Sequence, residues 1–405
     1  QTGGPLGCST VRNVHKVDGP HMTIMAAVNA LPATLTDYAC VIIRDGATYD
    51  TEQVTVRNFT NNGSSITIMA DPASGLRPIV SPPAASTAAF LVANASVNIL
   101  GIDIVPTNAM NWGVQASSAF ITLSSVNVKD AGGQIKFAGV QLSSWNAVSY
   151  SSVTVDVAHA FYLPGSTMTT ISYSTAQSAG GSLPALYLTG GSSNTVTRSF
   201  IANSVGNAVG LESGANYNAI SLSTMSSNGT NRVGLLLDAA LYNTFTQSYM
   251  GSVNGAGAYI SNASNFNTFS QSTFTSAAAS YRALLLDNAN DNAIDRCLMV
   301  NAAGSALEIY GVRDTITLST MIAGGDGLRL IGASTVSVFG SYIQGSTGVV
   351  VSASTGAVIG GSVLVATNTA GSALALSGGS VNQTNSTRTL LTPTLGRGLA
   401  LYPDN

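Results

Sequence analysis

Short runs in which apolar and polar residues alternate recur along the second half of the chain. Five of these runs begin with asparagine, and the leading asparagines are 24, 25, 24 and 25 residues apart. The third and eighth positions are apolar and the sixth is small, and this alternation is the periodicity of a β-strand. The runs are residues 194–201, 218–225, 243–250, 267–274 and 292–299, and residues 314–321 continue the series with aspartate in first place.

A second short apolar run precedes each of these segments. Strands that repeat every 21–27 residues with no helical periodicity between them indicate an all-β fold, a single-stranded parallel β-helix. The preceding runs are residues 185–188, 208–211, 233–237, 257–260, 283–286 and 306–309, with weaker copies at 113–115, 139–142, 327–330, 348–351 and 373–376.

The repeated asparagines are predicted to form a ladder of stacked side chains. They are Asn194, Asn218, Asn243, Asn267 and Asn292. Successive coils of a β-helix lie about 4.8 Å apart, so equivalent side chains come into contact. Asparagine tolerates left-handed backbone angles at a turn, and its amide can hydrogen-bond to the asparagine of the next coil. The small residue at the sixth position is expected where a narrow coil has little room at a corner.

The beginning of the chain predicts a cap for the open end of the solenoid. Residues 22–33 have helical periodicity, with Ile24, Ala27, Val28 and Leu31 on one face. An amphipathic helix there would cover strand edges that are otherwise unpaired.

This opening resembles that of pectin methylesterases and other pectate-lyase-like proteins. The similarity lies in residues 18–19, the helix 23–32 and the segments 41–43, 46–49, 53–56 and 66–68, about 70 residues in all. Downstream, the general coil pattern is similar to that of secreted bacterial β-helix repeat proteins. The resemblance implies a right-handed parallel β-helix with a carbohydrate-related background. It does not imply an activity.

One domain is expected over residues 1–405. Residues 1–70 are predicted to hold the cap and first coils, 71–376 the regular coils, and 377–405 a C-terminal cap or tail.

Composition excludes several classes of protein. Only 8% of the residues are charged, against roughly 25% in an ordinary soluble domain. The 15 Lys and Arg beside 18 Asp and Glu cannot neutralise a row of phosphates, which excludes a nucleic-acid partner. No apolar run reaches the length of a membrane span. The hydrophobic share of 45% is too high for a disordered chain.

The catalytic residues implied by the resemblance cannot be assigned. Pectin methylesterases use two Asp, supporting Gln and an Arg, but this chain has no Gln-Asp pair. Residues 395–397, Leu-Gly-Arg, resemble the terminal Arg motif, yet Gly-Leu follows where Pro-Trp is expected. Asp156 and His159 are the only local acid–imidazole pair, and ordinary turn chemistry explains them equally. No cofactor or metal site is predicted, and Ca²⁺ enters only if the chain is a lyase.

One set of side chains is a candidate ligand site. Carboxylates and amides would fall near one another on successive coils, with aromatic residues 25 and 24 apart beside the asparagine ladder. Such rows could bind a sugar chain by stacking and hydrogen bonds. The alternative, that the rings stack on one another at a corner and the acids are solvated turn residues, stays open. The residues are Glu212, Asp238, Asn262, Asp287, Tyr217, Tyr242, Phe266, Arg232 and Arg282.

Three cysteines and a polar start point to the compartment. Cys8 and Cys40 could form a disulfide, or could be two separate buried thiols, and Cys297 is left over. The polar residues from Gln1 suit a processed secreted protein or an excised domain.

These features favour an extracellular, non-catalytic module of a cell-surface protein or filament. It would be structural or adhesive, and its partners would be a polysaccharide, other surface proteins, or further copies joined end to end. The rival hypothesis is a lyase or esterase acting on acidic polysaccharide. Ice binding needs threonines in one column over many coils, which the sequence does not predict.

Overall fold

The computed structural model describes residues 7–130, 132–378, 390–393 and 397–401. The chain divides into two compact units, residues 1–200 and 201–405. The predicted division into cap, regular coils and tail stays a prediction. Residues 379–389, 394–396 and 402–405 of the expected tail, with Leu395 and Gly396 of the Leu-Gly-Arg segment, lie outside the described residues.

The first unit consists of short strands and one helix. In chain order they are β1 Thr10–Val14, α1 Ile24–Asn29, β2 Ala39–Ile43, β3 Thr48–Tyr49, β4 Val54–Arg57, β5 Ile66–Ala70, β6 Ile79–Val80, β7 Ala88–Ala93, β8 Val97–Leu100, β9 Asp103–Ile104, β10 Met110–Ala116, β11 Thr122–Ser124, β12 Asn127–Lys129, β13 Ile135–Leu142, β14 Ala147–Ser149, β15 Ser152–Val155, β16 His159–Pro164, β17 Thr170–Ser172, β18 Thr175–Ser178, β19 Leu186–Thr189 and β20 Thr195–Thr197.

Three parallel sheets in this unit each take every third strand. Sheet A has the order β1-β2-β5-β8-β11-β14-β17-β20, sheet B β4-β7-β10-β13-β16-β19, and sheet C β3-β6-β9-β12-β15-β18. Since consecutive strands lie in different sheets, the backbone completes one coil for about every three strands.

The second unit repeats the pattern. Its strands are β21 Phe200–Asn203, β22 Val209–Glu212, β23 Ala219–Ser221, β24 Thr224–Ser227, β25 Leu235–Asp238, β26 Thr244–Thr246, β27 Tyr249–Ser252, β28 Ala258–Ser261, β29 Thr268–Ser270, β30 Thr273–Ser276, β31 Arg282–Leu286, β32 Ala293–Asp295, β33 Leu298–Asn301, β34 Ser305–Ile309, β35 Thr315–Thr317, β36 Thr320–Ala323, β37 Leu328–Ile331, β38 Ser337–Phe339, β39 Tyr342–Gly345, β40 Val349–Ser352, β41 Val358–Gly360, β42 Val363–Ala366, β43 Ser372–Ser377, β44 Leu390–Pro393 and β45 Arg397–Leu401.

Its sheets have the same parallel order. Sheet A runs β23-β26-β29-β32-β35-β38-β41, sheet B β22-β25-β28-β31-β34-β37-β40-β43-β45, and sheet C β21-β24-β27-β30-β33-β36-β39-β42-β44. The fold class is therefore the predicted all-β parallel β-helix.

The apolar columns predicted from the repeat form the interior of the second unit. The third-position residues Ile220, Phe245, Phe269, Ile294 and Ile316 are in register and buried. The eighth-position residues, buried in the same way, are Met225, Met250, Phe274, Met299 and Met321. Inward side chains therefore pack on identical positions of the neighbouring coils.

The sixth-position column is held by hydrogen bonds as well as by size. The backbone N–H of Ser223 donates to Oγ of Ser248 at 3.3 Å, and that of Ser248 to Oγ of Ser272 at 3.2 Å. Each of these hydroxyls donates in turn to the carbonyl two residues earlier. A serine at this corner thus satisfies the backbone of the preceding coil.

The predicted cap helix exists but is shorter than its pattern suggested. It begins after Thr23, whose Oγ1 accepts from the N–H of Ala26 at 3.0 Å. The carboxylate of Glu52 accepts from the N–H groups of Ile24 and Met25 at 2.8 and 2.6 Å. Pro32 disfavours helical angles at the residue before it, which ends the helix early.

Candidate functional site

The predicted acidic row lies at the ends of sheet B strands in the second unit, with one correction of register. Glu212 is in register with Asp238, as expected. Asp238, however, pairs with Ser261 and not with Asn262, which follows at a left-handed position with φ 50°. Asn262 nevertheless reaches back, and its Nδ2 donates to Oδ1 of Asp238 at 2.7 Å.

Asp287 continues the row and binds a tyrosine that the sequence analysis did not single out. Its Oδ2 accepts a hydrogen bond from the hydroxyl of Tyr259 at 2.7 Å. Burial, followed by this hydrogen bond and the carboxylate charge, raises the pKa of Tyr259 to about 12. The phenol therefore stays protonated near neutral pH and cannot act there as a base.

The three corner aromatics stack on one another. The ring centroids of Tyr217 and Tyr242 are 4.9 Å apart with planes 2° from parallel, and those of Tyr242 and Phe266 are 4.9 Å apart at 6°. Both faces of Tyr242 are covered, so only ring edges and the two outermost faces are open. The coil spacing of about 4.8 Å produces this stack. The expected platform of open rings is thus replaced by the structural alternative.

The two arginines do not lie as a pair beside the acids. Arg282 opens β31, but its Nε and Nη2 donate to Glu308 at 2.5 and 2.8 Å, one coil away from Asp287. Arg232 lies in the turn before β25, where its carbonyl accepts from Oγ of Ser252 at 2.7 Å. The charge of Arg282 is therefore already balanced.

Glu308 is the centre of a polar network on the outer face of sheet B. Its side chain is 0% exposed, and it also contacts Nη1 of Arg329 at 3.5 Å and accepts from the hydroxyl of Tyr310 at 2.5 Å. Burial alone raises the pKa of Glu308, but the hydrogen bonds of Arg282 and Tyr310 and the nearby positive charges outweigh it and lower that pKa. The carboxylate is thus ionised and fully paired.

Sequence reasoning missed this network although a signal was present. Glu308 is in register with Leu285 and Arg329, in the column that points away from the core. Opposite charges at equivalent positions of consecutive repeats indicate an ion pair between coils.

The remaining candidates for acid–base chemistry are separated or buried. Asp156 accepts from the N–H of Gly132 at 2.9 Å, and Nδ1 of His159 bonds to the carbonyl of Pro184 at 2.7 Å, so the predicted pair does not form. Burial lowers the pKa of His159. Within the described ranges, no three His, Cys, Asp or Glu residues are grouped as metal ligands would be.

The cysteines divide into one bonded pair and one buried thiol. Cys8 and Cys40 form a disulfide across 32 residues in the first unit. Cys297 occupies a sixth-position corner in the second unit, and burial raises the pKa of its thiol to about 11. The thiol is therefore unreactive as a nucleophile at neutral pH.

A group of aromatic side chains lies on the outer face of sheet B in the first unit. Trp112, Phe137, Tyr162 and Tyr187 come from four consecutive strands of this sheet, and together they are named the aromatic surface. Centroids are 6.1 Å apart for Trp112 and Phe137, 5.3 Å for Phe137 and Tyr162, and 5.7 Å for Tyr162 and Tyr187. Phe137 is 43% exposed, and the other three rings are half-buried.

Amide side chains continue the column of the two tyrosines. Gln115 is in register with Gln141, and Gln141 with Tyr162. The ring of His159 stacks at 5.3 Å on Tyr162 and at 4.9 Å on Tyr187, which fixes their orientation. The weak repeat copies at 113–115 and 139–142 were recognised from the sequence, but their outward residues were not followed.

Threonines and serines fill two outward columns of sheet A in the second unit, which corrects the expectation that they share none. One column contains Thr244, Thr268 and Thr315, but Ala293 interrupts it. Thr246, Ser270 and Thr317 form the other, in which Asp295 takes a place. An uninterrupted threonine array is therefore absent from these described strands.

The described part of the chain contains no helix that is long and apolar enough to cross a membrane.

Comparison with known proteins supports the architecture. The family model described as right handed beta helix region matches residues 138–282. No curated protein sequence is detectably similar to this chain. Together with the strand topology, the family match shows a right-handed parallel β-helix repeat protein.

Two solved structures illustrate the similarity. The A-module of the mannuronan C-5 epimerase AlgE4 from Azotobacter vinelandii is 11% identical, covers 94% of this chain and 94% of its own, and has a TM-score of 0.42. Tailspike protein 3 of bacteriophage CBA120 is 11% identical over 90% of this chain, with a TM-score of 0.50. The match covers 56% of the tailspike, so this chain spans about half its length. Identities this low show the fold alone.

Proposed function

We propose that this chain is an extracellular β-helix module that binds a polysaccharide without cleaving it, in a structural or adhesive role at a cell surface or on a filament. The aromatic surface carries the proposal. Its four rings lie across consecutive coils, and part of their area remains open to solvent.

The chemistry of the aromatic surface suits a sugar chain. The apolar face of a pyranose stacks on an aromatic ring, and its hydroxyls bond to polar groups beside the ring. Gln141 supplies amide donors and acceptors in the same column as Tyr162. Because coils lie about 4.8 Å apart, consecutive sugar units can contact consecutive coils.

The charged groups favour binding over catalysis. Acid–base catalysis needs a titratable group with a pKa near the working pH and access to the substrate. Among the described residues considered above, Tyr259 titrates near 12, His159 is buried and Glu308 is fully paired.

The disulfide supports an extracellular location. Disulfides persist in oxidising compartments and are rare in the cytosol. The bond between Cys8 and Cys40 joins strand β2 to the segment before β1, at the start of the first unit.

A glycan array with matched variants tests the binding proposal. The double variant Phe137→Ala/Tyr162→Ala removes two rings of the aromatic surface and should weaken binding by about tenfold or more. Tyr249→Ala removes a similarly exposed ring from sheet C of the second unit and should leave binding unchanged. Full binding by the double variant, with the fold intact by circular dichroism, would refute the proposed role of the surface.

The rival is a lyase or esterase acting on acidic polysaccharide, and the Glu308 network favours it. Two arginines and the Tyr259–Asp287 pair lie on strands of one sheet, where they could contact a uronate. In β-elimination a base removes the proton at C5, the double bond forms between C4 and C5, and the C4–O bond breaks. Rising absorbance at about 235 nm with pectin or alginate, with or without Ca²⁺, would support this function. Methanol release from methylated pectin would instead indicate an esterase.

Other surface proteins and end-to-end self-association are further proposed partners. Sedimentation velocity over a range of concentrations separates them, because self-association appears with the purified chain alone.

A further inference from the structure

A groove of about 640 Å³ lies on the outer face of sheet A in the first unit. It extends from Ser65, before β5, across β8 and β11 to β14 and β17. Its volume is within the range of about 300–1,000 Å³ that small ligands occupy. It is separate from the aromatic surface, which belongs to sheet B, and the two share no residue.

Three large side chains form one wall of the groove. Phe120, Trp145 and Met168 are 63%, 53% and 51% exposed. The centroids of Phe120 and Trp145 are 6.3 Å apart with planes inclined at 35°, so the rings do not cover each other as the Tyr217 and Tyr242 rings do. An apolar ligand face can therefore contact them.

The fold does not require large residues at these corners. Trp145 has φ 62° and lies two residues before the first strand residue of sheet A. Ser193, Thr335 and Gly356 hold the same position in other coils, with φ of 57°, 53° and 64°. A bulky side chain in the left-handed region costs about 1–2 kcal/mol. The aromatic residues here thus need an explanation other than folding.

Hydroxyl and amide groups form the floor. Thr122, Ala147 and Thr170 are in register along the groove. Asn98, in register with Thr122, donates from Nδ2 to Oγ of Ser65 and to Oγ1 of Thr67, both at 3.1 Å, which fixes its orientation. None of the residues that line the groove is charged.

We infer that this groove is a second binding site and that it takes an uncharged oligosaccharide. A sugar ring would stack on Trp145 and Phe120, with its hydroxyls directed to Thr122, Thr170 and Asn98. A uronate is disfavoured because no lining cation would replace the water lost from its carboxylate. A protein partner would need about 800 Å² of surface on each side, far more than this groove offers.

Tryptophan fluorescence provides a direct test. The chain has two tryptophans, so Trp112→Phe leaves Trp145 as the only indole. Cellohexaose, maltohexaose and laminarihexaose are the neutral probes, and hexamers of mannuronate and galacturonate the charged ones. At least one neutral probe should change Trp145 emission with a saturable dose dependence that 0.5 M salt, about the range that screens surface charge, does not abolish.

Variants assign the signal to the groove. Calorimetry on the natural background should show at least about tenfold weaker binding for Trp145→Ala and near-natural binding for Trp145→Phe. Tyr150→Ala is the matched control, because Tyr150 is 62% exposed at the opposite edge of the same strand and does not line the groove. Binding of charged probes alone, or of no probe, would overturn the inference, as would unchanged binding by Trp145→Ala.

The two binding proposals fail separately. The double variant Phe137→Ala/Tyr162→Ala should keep the Trp145 response to a neutral probe, whereas Trp145→Ala should keep whatever binding the aromatic surface provides. Loss of the Trp145 response in the double variant would contradict the groove as an independent site.

Discussion

Oδ1 of Asn243 accepts two hydrogen bonds from Asn218, one from its backbone N–H at 2.9 Å and one from its side-chain Nδ2 at 3.1 Å. Asn267 accepts the same two bonds from Asn243, at 2.8 and 3.1 Å, and Asn292 accepts them from Asn267. Each side chain therefore fixes the corner of the preceding coil, and these amides are buried away from water.

Asn243→Leu should destabilise the second unit. The change leaves the N–H and Nδ2 of Asn218 without their acceptor and the carbonyl of Ala215 without the donor at 2.9 Å. Unsatisfied buried groups of this kind cost roughly 1–3 kcal/mol in the free energy of unfolding. Urea unfolding followed by circular dichroism measures the loss.

Asn254→Leu is the matched control for this prediction. Asn254 is exposed, and its side chain makes one hydrogen bond, to the carbonyl of Asn228 at 3.0 Å. Its replacement should change the free energy of unfolding little, because water can replace the lost partner. Equal losses in the two variants would contradict a special role for the ladder.

The interior could be predicted from the sequence because its spacing is fixed. A residue such as Phe245 must lie on Phe269, since every coil repeats the same path, and their centroids are 4.9 Å apart. The corner asparagine was equally predictable, because few residues tolerate a tight turn and also hydrogen-bond along the stack.

Outward contacts were less predictable, because the outer face has no repeated constraint. Arg282 follows the turn before β31 like any solvated residue, and only its register with the next coil places it beside Glu308. The one-residue offset of Asn262 arises from a left-handed turn that alternation alone does not reveal. Trp145 was missed because the asparagine after it, Asn146, lies before the part of the chain in which the repeat is regular.

Asp314→Asn should stabilise the protein at neutral and alkaline pH. Asp314 replaces asparagine in the ladder, where Oδ1 accepts from the N–H of Asn292 at 2.9 Å, while Oδ2 is buried without a partner in the described chain. Burial raises the pKa of Asp314 to about 7. Between the ordinary value near 4 and about 7, the folded state binds more protons than the unfolded state, so stability falls as pH rises.

The variant removes that slope. Its amide also supplies a donor at the position from which Asn243 and Asn267 bond to corner carbonyls. Unfolding free energies at pH 5 and pH 8 should differ less in the variant, with a gain of about 1–3 kcal/mol at pH 8. Asp295→Asn, at a more accessible carboxylate in the same coil, should leave the slope in place. A variant with the natural pH dependence would show that Asp314 does not cause it.

Glu308→Gln should destabilise the second unit in a pH-dependent way. The amide keeps the shape but loses the charge that balances Arg282 and Arg329, and a loss of about 1–3 kcal/mol is expected at pH 7. The pKa of Glu308 is lowered in the folded state, so its contribution is complete above the ordinary value and is lost as pH falls through the folded value.

Thermal unfolding at pH 7 and pH 3 checks this sign. The natural and variant proteins should differ at pH 7 and converge in acid. Asp50→Asn is the control, because Asp50 and Lys16 form an exposed ion pair at 2.8 Å, which typically contributes little. A difference that persists unchanged in acid would mean that the charge of Glu308 is not what stabilises the network.

Reduction of the disulfide between Cys8 and Cys40 should lower the stability of the first unit. The bond closes a loop of 32 residues, and a loop of that length contributes roughly 3–4 kcal/mol by restricting the unfolded chain. The double variant Cys8→Ser/Cys40→Ser should show the same loss without reductant. Cys297 provides the control, since its buried thiol should react slowly with a thiol reagent while its own coil stays folded. Fast labelling of Cys297 after mild reduction would show that the damage extends beyond the region of the bond.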